Sequence, residues 1–177
     1  MKLASQSKLL GLRHSKWAKI ALQIVLLSII YFGIQAYNTR FAARGMAPPI
    51  QGEFINGKSV SLTDFSGKPV LIHFWATWCP ICRMEQSSID AIAQDNYAVI
   101  TIVSQSGSKD EIRKIIHDRG IKAPVLIDEN DRFAKKYGIK AYPTTFVLDS
   151  QGKIRHIEVG YTTELGLKIR MWLAGIY

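Results

Sequence analysis

All the cysteine in this 177-residue chain lies in one motif, Cys79-Pro80-Ile81-Cys82. A disulfide between two residues this close in sequence closes a very short loop, so it stabilises a fold only slightly. The motif follows an apolar run rich in strand formers, residues 69–75, and a helical spacing of apolar residues begins at Pro80. We therefore expect the pair at a strand-to-helix junction, where it serves chemistry rather than cross-linking.

The start of a helix is a favourable place for a reactive thiolate. Pro80 suits the first helical turn, where its missing N–H would have no partner. Cys79 then lies beside free backbone N–H groups and the positive end of the helix dipole, which lower the pKa of its thiol. Cys82 follows one turn later on the same face. The arrangement predicts that Cys79 attacks a partner disulfide and that Cys82 resolves the mixed disulfide.

A metal site is one alternative for such a pair. A lone C-x-x-C supplies two ligands, whereas a structural zinc ion usually needs four, and the four histidines of the chain show no ligand spacing. We therefore predict no metal site. An exported copper carrier that binds Cu(I) through both thiolates stays open as an alternative function.

The N-terminal part of the chain is first basic and then apolar. Residues 1–44 contain seven Lys and Arg and no acid, whereas residues 45–177 carry 16 basic and 14 acidic side chains. The basic excess therefore belongs to one terminus, which argues against a nucleic-acid-binding surface. Residues 20–37 contain no charged side chain. As a helix they span roughly 27 Å, close to the hydrocarbon thickness of a bilayer.

These observations predict four segments: a cytoplasmic basic segment at 1–19, a transmembrane anchor at 20–37, a linker at 38–50 and a folded domain at 51–177. The basic residues before the apolar segment place the N-terminus in the cytoplasm, the anchor in the inner membrane and the domain in the periplasm. A cleaved signal peptide is the alternative. Cleavage after Ala36 or Ala43 would put Ile34 or Phe41 at position −3, where a small residue is required, so an uncleaved anchor is favoured.

Hydrophobic periodicity predicts an α/β domain with the order β-β-β-α-β-α-β-α-β-β-α. Strands that alternate with helices in the middle imply parallel pairing, and the final hairpin adds antiparallel strands. The expected architecture is a mixed β-sheet flanked by helices on both faces and preceded by one transmembrane helix.

Two stretches of the domain resemble the thioredoxin superfamily. Residues 69–85, PVLIHFWATWCPICRME, are similar to the active-site segment of its membrane-anchored TlpA/ResA-like branch, and their Cys-Pro-aliphatic-Cys-Arg order also resembles the suppressor-of-copper-sensitivity D proteins. Residues 135–146, KKYGIKAYPTTF, resemble the segment that carries the family's cis-proline. The resemblance covers about residues 50–175 and implies a thioredoxin-like fold.

The resemblance also implies roles for individual residues. Cys79 would be the exposed attacking cysteine and Cys82 the resolving one. Pro143 would be the cis-proline that faces the pair, with Tyr142 offering its backbone to an extended substrate peptide. Glu85 occupies the position of an acid suggested to assist proton movement at the buried cysteine, and the alternative is a solvated helix glutamate.

Three further positions bear on the site. Typical thioredoxins carry a buried Asp where this chain has His73, which predicts either a proton acceptor or, as we favour, a neutral hydrogen-bonded core residue. Ser87 stands where the family has a helix-kinking proline, which suggests a straighter helix. Trp78 is expected to shield the disulfide, and Trp75 to lie in the core.

The sequence thus predicts a thiol–disulfide oxidoreductase that acts on exported proteins, most simply a periplasmic reductant supplied by a membrane electron donor. The redox group is the Cys79–Cys82 disulfide itself, with no other cofactor. The alternatives are a disulfide-forming oxidant or isomerase, the copper-binding module, and a peroxidase of the peroxiredoxin type. The tryptophan directly before Cys79 and the nearby Cys82 argue against the last.

Overall fold

A computed structural model describes residues 4–95 and 97–176 of the chain, with side chains from residue 16 onward. Two compact units divide near residue 37. The first unit contains helix α1, Ala4–Thr39, except for its last two residues. Its part Lys16–Thr39 is long and apolar enough to cross a membrane, and a signal sequence at this place would pass the same test. The predicted anchor, 20–37, lies within that part.

The second unit contains a five-stranded mixed sheet with the strand order β5-β4-β3-β6-β7. Strands β3, β4 and β5 are parallel, whereas β6 is antiparallel to both of its neighbours, β3 and β7. The strands are β1 (Gln51–Glu53), β2 (Ser59–Ser61), β3 (Val70–Trp75), β4 (Ala98–Val103), β5 (Val125–Ile127), β6 (Thr144–Leu148) and β7 (Ile154–Val159). The helices are α2 (Pro80–Gln94), α3 (Lys109–Arg119), α4 (Arg132–Tyr137) and α5 (Glu164–Ala174). Strands β1 and β2 form a separate hairpin. The predicted mixed sheet with flanking helices is confirmed.

Strand β3 lies at the centre because all six of its side chains are apolar or polar without charge, and all are buried. Successive side chains of a strand point to opposite faces. Ile72 and Phe74 belong to the core cluster that contains Tyr137 of α4. Leu71 belongs to the cluster that contains residues of α2 and α5, and Trp75 to the cluster that contains both cysteines. His73 lies between Leu71 and Trp75 on this second face.

The predicted linker, residues 38–50, has an irregular backbone but packs on the domain. Ala42 and Ile50 are buried in the core. The segment is also hydrogen-bonded along its length, because the amide of Ala43 donates to the carbonyl of Tyr137 and the amide of Ile154 donates to the carbonyl of Gly45. The second compact unit includes this segment and begins at Asn38. Sequence periodicity missed this because an irregular segment buries isolated apolar residues at no fixed spacing.

Candidate active site

The two cysteines lie where the central strand passes into a helix. Strand β3 ends at Trp75, and Cys79 caps α2 with an extended backbone (φ −81°, ψ 114°) while Pro80 occupies the first turn. A disulfide joins Cys79 to Cys82, whose Cα atoms are 5.3 Å apart. The predicted strand-to-helix junction is therefore present, and proline at the first turn costs the helix no hydrogen bond.

The helix start polarises the Cys79 sulfur. The backbone amide of Cys82 donates a hydrogen bond to Sγ of Cys79 at 3.1 Å. Together with the positive end of the helix dipole, this bond stabilises negative charge on Cys79 when the disulfide opens. Cys79 is consequently the sulfur of the pair better suited to be a thiolate.

The expectation that Cys79 is exposed does not hold for the disulfide form. Cys79 is 4% exposed and Cys82 is 2% exposed, so burial hardly distinguishes the two sulfurs. Both belong to one apolar cluster with Trp75, and Tyr142 packs against it. A side chain's exposure at a helix start depends on neighbouring loops, which the local sequence does not reveal.

Trp78 and Tyr142 lie beside the pair. The indole of Trp78 is 62% exposed, and its Nε1–H donates to the carbonyl of Gln105 at 2.8 Å. The rings of Trp78 and Tyr142 meet edge to face, with their centroids 5.9 Å apart. The peptide bond between Tyr142 and Pro143 is cis, as the resemblance implied. The cis-proline loop thus reaches the surface that surrounds the disulfide.

Glu85 is a buried acid one turn beyond Cys82. Its side chain is 0% exposed, so the alternative of a solvated helix glutamate is wrong. Oε1 accepts a hydrogen bond from the amide of Thr162 at 3.1 Å, and Oε2 has no hydrogen-bond partner. The pKa of Glu85 is raised to about 8, mainly by burial; the hydrogen bond from the Thr162 amide opposes the rise, and the nearby charge of Glu158 adds to it. The carboxyl group therefore changes its protonation near neutral pH.

His73 is a buried imidazole in the middle of β3. Its ring is 1% exposed, and Nδ1 lies 2.9 Å from the hydroxyl of Thr145, while Nε2 has no hydrogen-bond partner. Thr101 is its neighbour on the other side, in β4, and is equally buried. Burial lowers the pKa of His73 to about 3. The imidazole is neutral at physiological pH, in agreement with the interpretation as a hydrogen-bonded core residue.

Comparison of this chain with known proteins agrees with the geometry of the site. A model of the AhpC/TSA family matches residues 43–157, well over half of the chain.

The chain belongs to the AhpC/TSA family.

Its relatives are thioredoxin-like. The thioredoxin-like protein YneN of Bacillus subtilis is 33% identical over 160 residues, 84% of this chain and 92% of that protein. The thiol-disulfide oxidoreductase ResA of Geobacillus thermodenitrificans is 31% identical over 142 residues, 78% of this chain and 82% of its own length.

Solved structures agree with these relatives. The exposed lipoprotein thioredoxin of Streptococcus pneumoniae superposes with a TM-score of 0.66 at 28% identity, covering 71% of this chain and 99% of that one. A DsbF homologue from Corynebacterium diphtheriae gives a TM-score of 0.63 at 28% identity, with 72% and 85% covered. The resemblance to the thioredoxin superfamily and its ResA-like branch is therefore confirmed for this AhpC/TSA protein.

Sequence reasoning missed the contacts that hold the loop before Cys79. The amide of Thr77 donates to the hydroxyl of Ser106 at 2.9 Å, and Nη2 of Arg119 donates to the carbonyl of Thr77 at 2.9 Å. Gln105, which accepts from Trp78, has a left-handed backbone with φ +51°. These partners lie 27 to 42 residues from Thr77 and Trp78 in sequence. No local pattern predicts such contacts.

Two further sequence predictions concern the helix at Ser87 and a metal site. Helix α2 runs uninterrupted through Ser87 from Pro80 to Gln94. Among the residues that the structure describes, no three or more His, Cys, Asp or Glu side chains are grouped so that they could hold a metal ion.

Proposed function

We propose that this AhpC/TSA protein is a thiol–disulfide oxidoreductase that reduces disulfides of exported proteins through Cys79 and Cys82. The observation that carries the proposal is the cysteine pair at the start of α2, where the Cys82 amide donates to the Cys79 sulfur. The redox group is the disulfide itself, without another cofactor. ResA, which is 31% identical, carries the name of a thiol-disulfide oxidoreductase.

The reaction transfers two electrons in two exchange steps. In the reduced protein, the Cys79 thiolate attacks a sulfur of the partner's disulfide, forms a mixed disulfide and releases the first partner thiolate. The Cys82 thiol loses its proton and attacks Sγ of Cys79, which releases the second partner thiolate and forms the Cys79–Cys82 disulfide. Trp78 and the backbone beside Pro143 position the partner chain.

Glu85 is the group we assign to the proton of Cys82. It lies one helical turn from Cys82, and a residue three positions along a helix is on the same face. Its pKa of about 8 lets it take up and release a proton near neutral pH. His73, with a pKa of about 3, is too weak a base for this step at neutral pH, so we assign it a role in positioning the core.

The direction of electron flow follows from the surroundings of the sulfurs. A strong oxidant such as DsbA owes its high potential to a stabilised reduced form. Here both sulfurs are buried, and within the described residues the Cys82 amide is the one hydrogen-bond donor to Cys79. Ionised Glu85 would also oppose a thiolate on Cys82. Burial and the acidic neighbour thus offset the stabilisation of the Cys79 thiolate by the Cys82 amide, and this balance supports a reductant over an oxidant or isomerase.

The apolar part of α1 supports a membrane location. Lys16–Thr39 would act as an anchor in the inner membrane, with the basic N-terminus in the cytoplasm and the domain in the periplasm. A periplasmic reductant is oxidised in each turnover and must be reduced again, so we infer a membrane electron-transfer partner.

Single cysteine variants test this function with insulin as the disulfide substrate. Cys79→Ser should abolish insulin reduction by the dithiothreitol-charged protein, because it removes the attacking thiolate. Cys82→Ala should accumulate a mixed disulfide between Cys79 and the substrate, visible on a non-reducing gel. Full activity of Cys79→Ser would show that the assignment of the nucleophile is wrong.

A further inference from the structure

Helix α5 carries an apolar stripe on the side that faces away from the core. Its inward side chains are buried and apolar: Leu167, Met171 and Ala174. Four outward side chains are also large and apolar, and each is between 48% and 68% exposed: Leu165, Ile169, Trp172 and, just after the helix, Ile176. Their spacing of four, three and four residues places them on one face, where a surface helix normally carries polar side chains. Such a contiguous apolar row marks a contact surface.

The charged side chains of α5 lie beside this stripe and are paired within the domain. Nζ of Lys168 lies 2.7 Å from carboxylate oxygens of both Asp95 and Glu164. Arg170 contacts the carboxylate of Glu158 in β7, with Nη2 2.6 Å from Oε1. Because these charges are held by partners in the domain, the stripe offers apolar contact rather than a charge pattern. Its occupant is therefore expected to be apolar.

The stripe leads to the disulfide. The amide of Thr162, just before α5, donates to Glu85 of α2, which lies one turn beyond Cys82. The side chains around this junction are again apolar and exposed: Trp78, Ile81, Met84 and Tyr161. Together with the stripe they form what we call the apolar band. One end of the apolar band thus lies beside the reacting sulfurs.

The other end of the apolar band lies far from the disulfide. Gly175, at the end of α5, lies against the ring of Pro69, which precedes β3, whereas the active site follows the end of β3. The 11 residues of α5 span roughly 16 Å. An extended polypeptide covers this length with about five residues.

We propose that the apolar band holds an extended apolar segment of the same polypeptide whose disulfide Cys79 attacks. The proposal rests on the function proposed above and names its substrate class: exported proteins that are unfolded around their disulfide. A folded protein keeps most of its large apolar side chains buried. A lipid surface or a second copy of this chain would also be apolar. Neither explains why the apolar band begins beside the Cys79–Cys82 pair.

The test compares two synthetic peptides with the same internal disulfide and different flanks. The five residues at each end are rich in Leu and Phe in one peptide, and all Ser or Gly in the other. The full-length protein is placed in lipid nanodiscs, because detergent would cover the apolar band. It is charged with dithiothreitol, which is then removed. The wild type should reduce the apolar peptide roughly tenfold faster, a factor that burial of one large side chain can supply.

Two variants locate this preference. Ile169→Ser combined with Trp172→Ser should remove most of it and leave the rate with the polar peptide unchanged, because both side chains are exposed and lie along α5, away from the sulfurs. Met46→Ser is the matched control, since it removes an equally exposed apolar side chain from segment 38–50, outside the apolar band. It should keep the wild-type preference. A full preference in the double variant would overturn the proposal.

Crosslinking shows the occupant directly. Cys82→Ala should hold the apolar peptide as a mixed disulfide with Cys79. With a photoreactive leucine in its flanks, the peptide should crosslink to residues 165–176, as located by mass spectrometry. If lipid or a second copy covers α5 instead, this segment will carry no peptide, and that result would also overturn the proposal.

The two peptides separate this proposal from the function on which it rests. If the charged wild type reduced neither peptide, the oxidoreductase function itself would be wrong. If it reduced both at the same rate, the function would stand and only the role of the apolar band would be wrong.

Discussion

Glu85 and His73 are buried on the same side of the sheet, yet burial shifts their pKa values in opposite directions. Burial disfavours the charged form of each, so the pKa of the acid rises to about 8 and the pKa of the base falls to about 3. Each has one atom without a hydrogen-bond partner. Both residues should therefore make the free energy of unfolding depend on pH.

Glu85 should destabilise the fold as pH rises. Between pH 4.5 and about 8, the native protein holds a proton that the unfolded chain has lost. The contribution of Glu85 to the free energy of unfolding is complete below pH 4.5 and is lost as pH increases through 8. Glu85→Gln keeps the shape and cannot ionise, so it should gain stability relative to the wild type by up to about 1.4 kcal/mol per pH unit between pH 5 and 8.

Urea unfolding of the two proteins at several pH values measures this difference. A gap between the curves that stays constant from pH 5 to 8 would contradict the raised pKa of Glu85. The activity of Glu85→Gln should lose the pH dependence that the wild type shows in this range, because the proton acceptor for Cys82 is gone.

His73 should destabilise the fold as pH falls. Between pH 6.5 and about 3, the unfolded chain binds a proton that the native imidazole does not. The contribution of His73 to the free energy of unfolding is present above pH 6.5 and is lost as pH decreases toward 3. Replacement by Gln should remove a slope of up to about 1.4 kcal/mol per pH unit between pH 6 and 4. Parallel curves for wild type and His73→Gln in urea unfolding would show that the ring is protonated in the fold.

At the scale of elements, the turn after α4 joins the irregular segment 38–50 to the domain. Gly138 ends α4 with φ +68°, and a Cβ atom there would overlap the carbonyl oxygen of Phe41. Gly120 ends α3 with a similar φ of +61°, but a Cβ atom would meet nothing within 4 Å. The two helix ends share the same backbone strain and differ in close packing.

Alanine at these two positions separates strain from packing. Gly120→Ala should cost about 1 kcal/mol of unfolding free energy, the typical penalty of a left-handed residue. Gly138→Ala should cost about 3 kcal/mol or more, because segment 38–50 must also move away. Equal losses in chemical denaturation would mean that this segment does not pack tightly on α4.

The elements were largely predictable, whereas their contacts were not. Strand β3 and helix α2 follow from apolar periodicity and from Pro80, which act locally. The burial of Glu85 depends on Thr162, 77 residues away in sequence. A cis bond at Pro143 was predicted by family resemblance, since any X-Pro sequence can adopt either isomer. Residues 38–50 pack on the domain without any regular period, so periodicity gave no sign of their contacts.

At the scale of the whole molecule, the chain contains an apolar helix followed by a redox domain. The burial of both sulfurs and the acidic neighbour of Cys82 offset the stabilisation of the Cys79 thiolate by the helix start, so we infer a reduced form with little net stabilisation. Such a pair gives electrons readily. We infer that the membrane partner proposed above supplies these electrons.

The equilibrium reduction potential of the Cys79–Cys82 pair tests the central claim most directly. It is measured on the full-length protein in detergent, in dithiothreitol and glutathione redox buffers. We predict a reduction potential nearer that of thioredoxin, about −270 mV, than that of DsbA, about −120 mV. A value near DsbA's would make the protein an oxidant of exported proteins, and the absence of any reversible couple would contradict the oxidoreductase function itself.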